Sequence, residues 1–482
     1  MNKNIFRNLI WGYIGSNILL LLVAFLGRSN FNLVAWVSIV QLVLTLGVMI
    51  WGMREFVLVG VIFLALTYLF HFGQSLIIAL GFNDLYADRN VLAKTSFDSY
   101  ITAELFAMTS MFFVGLGYLI VNRFSINRNC SPKENSLEDN LTSEAIYEIR
   151  KVSLIIFSVS VFPMVFIDTG KILAAILGDY MDTYKVYATG LGKIMYAISQ
   201  FCRPSIIVLL FTYANDKKKA NAILIASTLY YLFMMLSGDR GTGMIYLIAN
   251  FLVYFRFVLQ LKVFHVIAGV VACYLLMCFL SVISAFRYRD FSIESFLAVL
   301  SLRETDGIIY SFLREFGGTM ISLVYAIDYI PSYSPHAYGL TYLTGLITVL
   351  PSVPDSWAEA LMPIWSFVRS FPVEVQNSLG GSFLGELYFN FGWFGSAAAV
   401  LVGMLLGSVD REFLLKKSPF VIAVALVALP TLFLWTRDFY CTMLLHAFWF
   451  AAAFFVFNKL SKKRKFDVVT KLQKNAQRLS VF

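Results

Sequence analysis

Residues 8–27 read NLIWGYIGSNILLLLVAFLG and contain no charged side chain. A helix of about 20 apolar residues is long enough to cross the hydrocarbon core of a bilayer. The run has no short apolar core that ends in a small-residue cleavage site, so we interpret it as a retained transmembrane helix and not as a signal peptide. The stretch therefore predicts that the chain enters the membrane near residue 8.

The composition of the whole chain agrees with this prediction. Of 482 residues, 59% are hydrophobic and only 14% are charged, and the mean hydropathy is +0.74. Such a composition excludes a soluble enzyme, a nucleic-acid-binding module and a disordered scaffold. The five cysteines form neither a secreted disulfide framework nor a metal-binding spacing with histidine, and no pair of acidic residues suggests a metal site. We therefore expect no metal and no cofactor.

Apolar runs of similar length recur along the chain and predict an all-α polytopic membrane protein with about twelve transmembrane helices. The apolar segment 338–350 is too short to cross and is followed by Pro351 and Pro354, so we place it at the membrane interface. The predicted organisation is transmembrane helices 1–9 in 1–285, a large outer loop in 286–381, helices 10–12 in 382–457, and a basic tail in 458–482. The predicted spans are 8–27, 32–51, 56–80, 101–121, 151–169, 194–213, 221–237, 242–259, 263–285, 382–407, 418–435 and 439–457.

The distribution of lysine and arginine predicts the orientation. With both termini in the cytoplasm, nearly two thirds of the 38 basic residues lie on the cytoplasmic side, as the positive-inside rule requires. The net charge of +9 is then an orientation signal, and anionic lipid of the inner leaflet accounts for the basic tail. We therefore expect the bilayer as a partner, and no nucleic acid.

The basic residues on the outer side are mostly arginines, whose planar guanidinium groups bind phosphate bidentately. This bias indicates an outer face that contacts oxyanions. The outer arginines are Arg28, Arg89, Arg240, Arg287, Arg289, Arg303, Arg314, Arg369 and Arg437.

The outer segment 286–381 lacks repeats and linker composition, which indicates a folded loop. Its first part, 292–330, is predicted to be helical, and its spacing puts two arginines on one face, three turns apart. The alternative is a solvated helix face with local ion pairs. The residues of that face are Arg303, Asp306, Gly307, Tyr310 and Arg314.

Arg203 lies near the middle of the sixth predicted span, where a cation is costly without a partner or a water-filled cavity. It is either a functional residue or one half of a buried ion pair with Glu104 or Asp168. Arg240 lies between glycines in a very short connection between spans seven and eight, which is either a ligand site or a bare turn. Glu386 begins span ten, with Asn390 one turn further on the same face.

Three strings resemble the O-antigen polysaccharide polymerase (Wzy) family of oligosaccharide repeat-unit polymerases. They are SGDRGTG at 237–243, YGLTYLTGLITVLP at 338–351 and GELYFNFGWFG at 385–395. The order of these strings around a large outer loop also resembles the family layout. The resemblance implies a GT-C-like polymerase or ligase architecture.

The resemblance further implies a glycosyltransferase in the bacterial cytoplasmic membrane with its active site facing outward. Its substrates would be undecaprenyl-pyrophosphate-linked oligosaccharides, and the growing chain would be transferred to a sugar hydroxyl with release of undecaprenyl pyrophosphate. A chain-length regulator and a flippase are the implied protein partners. An O-antigen ligase and a lipid-linked oligosaccharide flippase or transporter remain alternatives.

Fixed guanidinium groups stabilise the charge of a departing pyrophosphate. The attacking hydroxyl needs a base, for which Glu386 is the first candidate and His336 the second; His336 is otherwise an ordinary loop histidine. No role is assigned to His71 or His265, and His446 is left undecided. The predicted pyrophosphate ligands are Arg203, Arg240, Arg287 and Arg314, followed by Arg289, Arg303, Arg369 and Arg437.

Overall fold

The computed structural model of the chain consists of helices and connections, with about 85% helix and no strand among the residues that it describes. The prediction of an all-α chain is confirmed. The described residues are 3–81, 91–122, 143–177, 190–262, 308–350, 353–376, 379–416 and 418–457, with short pieces at 183, 185–186, 264–265, 267–269, 271–272, 274–276 and 459.

The described residues form a series of α-helices, which are numbered here in chain order. In chain order they are α1 (Lys3–Leu26), α2 (Phe31–Met53), α3 (Val59–Ala79), α4 (Phe97–Asn122), α5 (Ser143–Leu177), α6 (Gly190–Ser199), α7 (Cys202–Thr212), α8 (Lys217–Met235), α9 (Arg240–Val253), α10 (Ile308–Phe316), α11 (Met320–Tyr329), α12 (Leu340–Gly345), α13 (Asp355–Trp365), α14 (Val373–Gln376), α15 (Phe383–Phe391), α16 (Phe394–Leu415), α17 (Pro419–Leu434) and α18 (Leu444–Phe457).

Eight helical stretches within the described residues are long and apolar enough to cross a membrane, which agrees with a polytopic membrane protein. They coincide with predicted spans one to six, eight and eleven. Among the other predicted spans, 221–237 lies in α8 and 439–457 largely in the shorter α18, whereas most of 263–285 lies outside the described residues. The eight are Ile5–Leu26, Phe31–Met53, Val59–Ala79, Phe97–Asn122, Glu144–Ala175, Gly190–Thr212, Arg240–Val258 and Pro419–Arg437.

Predicted span ten, 382–407, is not one helix. The chain forms α15, leaves helical geometry at Gly392 with a φ of +56°, and starts again as α16. A Cβ atom on Gly395 would lie 2.3 Å from the carbonyl oxygen of Leu387, so only glycine lets α16 fold this closely against α15. As a result α15 is a short helix in the protein interior, with residues 383–390 buried.

Helix α16 packs tightly on α4 through glycines. A Cβ atom on Gly403 would lie 1.9 Å from the Val114 carbonyl oxygen, and one on Gly117 would lie 2.0 Å from that of Val400. Small residues allow such close backbone approach between membrane helices, where packing drives association. This pair of helices fixes the position of α15, which precedes α16 directly.

The predicted helix 292–330 is only partly within the described residues, which begin at 308. There it divides into α10 and α11, separated by a 3-10 turn at Gly317–Thr319. The turn packs on α3, because a Cβ atom on Gly317 would lie 2.5 Å from the backbone nitrogen of Gln74. The segment 338–350 contains α12 and a 3-10 turn, Leu346–Val349, in agreement with its prediction as a short non-spanning element.

Candidate active site

Two arginines meet at the end of the bundle where α9 begins and α17 ends. Arg240 is the first residue of α9, and Arg437 lies in the 3-10 turn that follows α17. A Cβ atom on Gly241 would lie 3.4 Å from Nη1 of Arg437, so this guanidinium rests against the backbone beside Arg240. Its other face lies over the ring of Phe70, 5.2 Å from the ring centre. Two predicted phosphate ligands, far apart in sequence, are therefore neighbours.

The two arginines differ in their partners. Arg240 is 6% exposed and donates two hydrogen bonds to the carboxylate of Glu315 on α10, one of them from Nη1 to Oε2 at 3.0 Å. The Glu315 side chain is 40% exposed, so this carboxylate lies at the edge of the protein. Within the described part of the chain, no carboxylate lies at ion-pairing distance from Arg437. The guanidinium of Arg437 is thus the group with capacity for an anionic ligand.

Asp438 follows Arg437 and anchors the turn that carries it. Its Oδ1 accepts a hydrogen bond of 2.8 Å from the backbone N–H of Phe439. Burial raises the pKa of Asp438 above its ordinary value, although the Phe439 hydrogen bond and the charge of Arg437 oppose this. A Cβ atom on Gly381 would lie 2.4 Å from the carbonyl carbon of Asp438, so the chain that enters α15 passes directly against this turn.

Glu386 on α15 holds the same turn from within. It is 1% exposed, and its Oε2 accepts hydrogen bonds from the indole N–H of Trp435 at 2.8 Å and from the backbone N–H of Tyr440 at 3.1 Å. These bonds flank Arg437 on both sides along the chain. The carboxylate of Glu386 is therefore positioned to fix the arginine turn.

His336 lies at the opposite end of α15 and is half-buried. Its Nδ1 lies 3.2 Å from the carbonyl oxygen of Phe389. Because a carbonyl only accepts, Nδ1 carries the proton in this bond; in the neutral ring, Nε2 is then the nitrogen with the lone pair. Asn390 holds the adjacent loop, since its Oδ1 accepts from the Gly339 N–H at 2.9 Å and its Nδ2 donates to Thr341 Oγ1 at 2.7 Å.

Arg203 forms a buried ion pair. Its Nη2 lies 2.7 Å from Oδ1 of Asp168, and the other carboxylate oxygen also accepts from it and from the hydroxyl of Tyr230 at 2.7 Å. Both charged side chains are less than 10% exposed. Of the two partners that the sequence suggested, the structure selects Asp168; Glu104 lies elsewhere, beside Tyr100 and Ser75.

The other predicted pyrophosphate ligands lie on elements other than those of Arg240 and Arg437, or outside the described residues. Arg314 on α10 precedes Glu315, and its guanidinium lies 5.2 Å from the ring centre of Tyr310. Arg369 lies exposed in the 3-10 turn Phe367–Ser370. Predictions for Arg287, Arg289, Arg303, Asp306 and Gly307 concern residues outside the described part of the chain.

A family model for O-antigen polysaccharide polymerase Wzy matches residues 10–460, nearly the whole chain. The chain belongs to the Wzy family. No curated protein and no solved structure matches it. Membership accounts for the membrane-spanning helices and supports polymerisation of O-antigen repeat units, which Wzy proteins take from lipid-linked oligosaccharides in a membrane.

The site of this Wzy protein also contains residues that the sequence alone did not indicate. Trp435 and Glu315 contact the predicted residues, but neither lies in a recognisable motif. His71, to which no role was assigned, lies fully buried on α3 with Nε2 2.7 Å from the hydroxyl of Ser382. That hydroxyl caps α15 by accepting from the Gly385 N–H at 3.1 Å. In GGSFLGEL, the serine before the apolar start of the helix predicts the cap. Nothing in this string indicates that His71 is the partner of that serine.

Proposed function

We propose that the chain polymerises undecaprenyl-pyrophosphate-linked oligosaccharide repeat units on the outer face of the bacterial cytoplasmic membrane. The growing chain leaves its lipid pyrophosphate and joins a sugar hydroxyl of a second lipid-linked unit. The observation that carries the proposal is the meeting of Arg240 and Arg437 at one end of α15, with His336 at the other end. Transfer requires a leaving-group site and a base within one substrate length of each other.

Arg437 and Arg240 hold the pyrophosphate of the donor in this proposal. Arg437 supplies a guanidinium that has no carboxylate partner among the described residues, and Arg240 exchanges the exposed Glu315 for phosphate oxygens. As the glycosidic bond breaks, its electron pair moves to the pyrophosphate oxygen, and fixed guanidinium groups stabilise the developing charge. Arg314, next to Glu315 on α10, is the third ligand.

His336 is the base that receives the proton of the attacking hydroxyl. The Phe389 carbonyl orients its ring, and Nε2 is the acceptor. We assign Glu386, the sequence's first candidate base, the task of positioning Arg437, because Trp435 and Tyr440 already occupy its carboxylate. Arg203, paired with Asp168, supports the fold near the site.

The length of α15 agrees with this division of roles. A helix of nine residues is about 13 Å long. The path from guanidinium to phosphate, anomeric carbon, attacking oxygen and imidazole has four links of about 3 Å each. The two ends of α15 are therefore separated by about the length of this path.

Three further features belong to this proposal. They are twelve crossings in a GT-C-like arrangement, cytoplasmic termini and an outward-facing site. A flippase that delivers the repeat units and a chain-length regulator are the partners that such a polymerase requires.

The test is polymer formation by the purified full chain in vesicles supplied with a defined lipid-linked repeat unit. We expect a ladder of products, and we expect Arg240→Lys and Arg437→Lys each to lower turnover about 100-fold, because lysine loses the bidentate contact. Arg7→Lys is the matched control, because Arg7 is an exposed arginine near the start of α1.

Three results contradict the proposal. Full-length ladders from both lysine variants would remove the arginine pair from the mechanism. Movement of the repeat unit across the vesicle membrane without any glycosidic bond formation would indicate a flippase, and transfer only to a lipid A-type acceptor would indicate a ligase.

A further inference from the structure

A lipid-facing groove lies between α1 and α4, at the same end of the bundle as the candidate active site. Its volume is about 470 Å³. Leu22 and Phe25 on α1 and Leu105 on α4 line its walls, and Trp393 at the start of α16 closes one side. Trp393 and Phe25 are each about half exposed, so the groove opens towards the hydrocarbon region.

The groove is apolar except at one end. Thr102 and Thr109 also line it, but their hydroxyls donate to the carbonyl oxygens of Asp98 and Leu105 on their own helix, at 2.7 and 2.8 Å. The hydroxyl protons of both threonines are therefore used within α4. With the apolar side chains around them, such walls suit a hydrocarbon chain.

Arg28 is the charged residue of the groove. It is exposed, and its guanidinium lies 5.6 Å from the ring centre of Phe25. Among the described residues, no carboxylate pairs with it. An apolar groove with an unneutralised guanidinium at its mouth is complementary to a lipid that has a phosphate headgroup.

The groove adjoins the histidine end of α15. Its wall residue Trp393 follows Gly392, and a Cβ atom on Gly392 would lie 3.3 Å from Nε2 of His336. The ring of Trp393 packs edge-on against Phe106, 5.6 Å between centres, and Phe106 in turn packs on Tyr388. The arginine pair lies at the other end of α15.

We propose that this groove binds the isoprenoid tail of the acceptor, the second lipid-linked unit, with Arg28 on its pyrophosphate. The inference rests on the proposed function. That function needs two lipid-linked substrates at once, but it assigns a phosphate site to the donor only. The acceptor oligosaccharide runs from Arg28 past Trp393 to His336, where its terminal hydroxyl meets the donor held by Arg240 and Arg437. Donor and acceptor thereby enter from two sides of α15.

The first experiment measures binding without turnover. The full chain in vesicles of phosphatidylethanolamine and phosphatidylglycerol is irradiated with a diazirine-bearing undecaprenyl pyrophosphate, and the adducts are mapped by mass spectrometry. We expect adducts in residues 18–28 and 102–109, and we expect unlabelled undecaprenyl pyrophosphate to remove them. Equal competition by added phosphatidylglycerol would overturn the assignment, because the groove would then be an ordinary phospholipid site.

The second experiment separates the two substrates. A repeat unit with a methylated terminal hydroxyl acts only as donor, and one whose anomeric oxygen is replaced by methylene acts only as acceptor. We expect Leu22→Trp, which fills the groove, and Arg28→Gln each to raise the acceptor KM at least tenfold while the donor KM changes less than twofold. Leu19→Trp and Arg7→Gln are matched controls on the same helix, outside the groove.

The two proposals fail in different ways. An unchanged acceptor KM in Leu22→Trp and Arg28→Gln, or a raised donor KM instead, would overturn the acceptor groove and leave the polymerase intact. Specific adducts in the groove of a protein that forms no glycosidic bond would support a lipid-pyrophosphate site there and overturn the polymerase function.

Discussion

At the residue scale, variants of the Arg203–Asp168 pair test whether Arg203 has a structural or a functional role. Removing one partner of a buried pair leaves an uncompensated charge, so we expect Asp168→Asn to lower the free energy of unfolding by about 3–5 kcal/mol. The double variant Arg203→Met with Asp168→Leu should recover most of this loss and should still polymerise. Unfolding in detergent and product ladders are the measurements. A folded but inactive double variant would return Arg203 to the pyrophosphate site.

A second pair of variants tests the roles of His336 and Glu386 separately. His336→Asn keeps a donor for the Phe389 carbonyl but loses the base, and we expect its single-turnover rate to fall about 100-fold. In Glu386→Gln the amide oxygen can still accept from Trp435 and Tyr440, so turnover should stay within about tenfold of wild type. An inactive Glu386→Gln beside an active His336→Asn would reverse the two assignments.

At the scale of single elements, apolar runs predict where helices exist, because a helix that crosses a bilayer needs only sufficient length and an apolar composition. They do not predict the break at Gly392, since the residues on both sides are equally apolar and only the close approach of Gly395 to Leu387 requires it. The same holds for the partners of Glu386. Trp435 lies 49 positions away, and such a contact leaves no periodic trace in the sequence.

The α4–α16 contact gives a prediction at this scale. Gly403→Ala places a Cβ atom 1.9 Å from the Val114 carbonyl oxygen, so the helices must separate. Overpacking of this kind costs about 1–3 kcal/mol, and we expect a lower unfolding temperature together with weaker polymerisation, because α15 shifts with α16. Gly47→Ala is the control, since its Cβ position on α2 has no neighbour within 4 Å. Equal stability of the two variants would contradict tight packing at Gly403.

At the scale of the whole molecule, the sequence predicted Arg240 and Arg437 as ligands on the same outer side, but it did not predict that these two arginines are direct neighbours. Arg240 begins α9 and Arg437 lies in the turn after α17, and a Cβ atom on Gly241 would lie 3.4 Å from Nη1 of Arg437. The hydrogen bonds of Glu386 with Trp435 and Tyr440 place α15 beside the same turn. Glu315 on α10 completes the cluster through a contact that no local pattern specifies.

The lysines at the start of α8 predict which end of the bundle faces outward. Lys217, Lys218 and Lys219 begin α8, and one helix length separates them from Arg240. Positive-inside placement of these lysines therefore puts the arginine pair on the outer side. In a variant without native cysteines, a membrane-impermeant maleimide should label the exposed Ser332→Cys in intact cells and the exposed Lys218→Cys only after permeabilisation. Labelling in the opposite order would place the site in the cytoplasm, where the proposed acceptor and donor lipids would have to be presented from the inner leaflet.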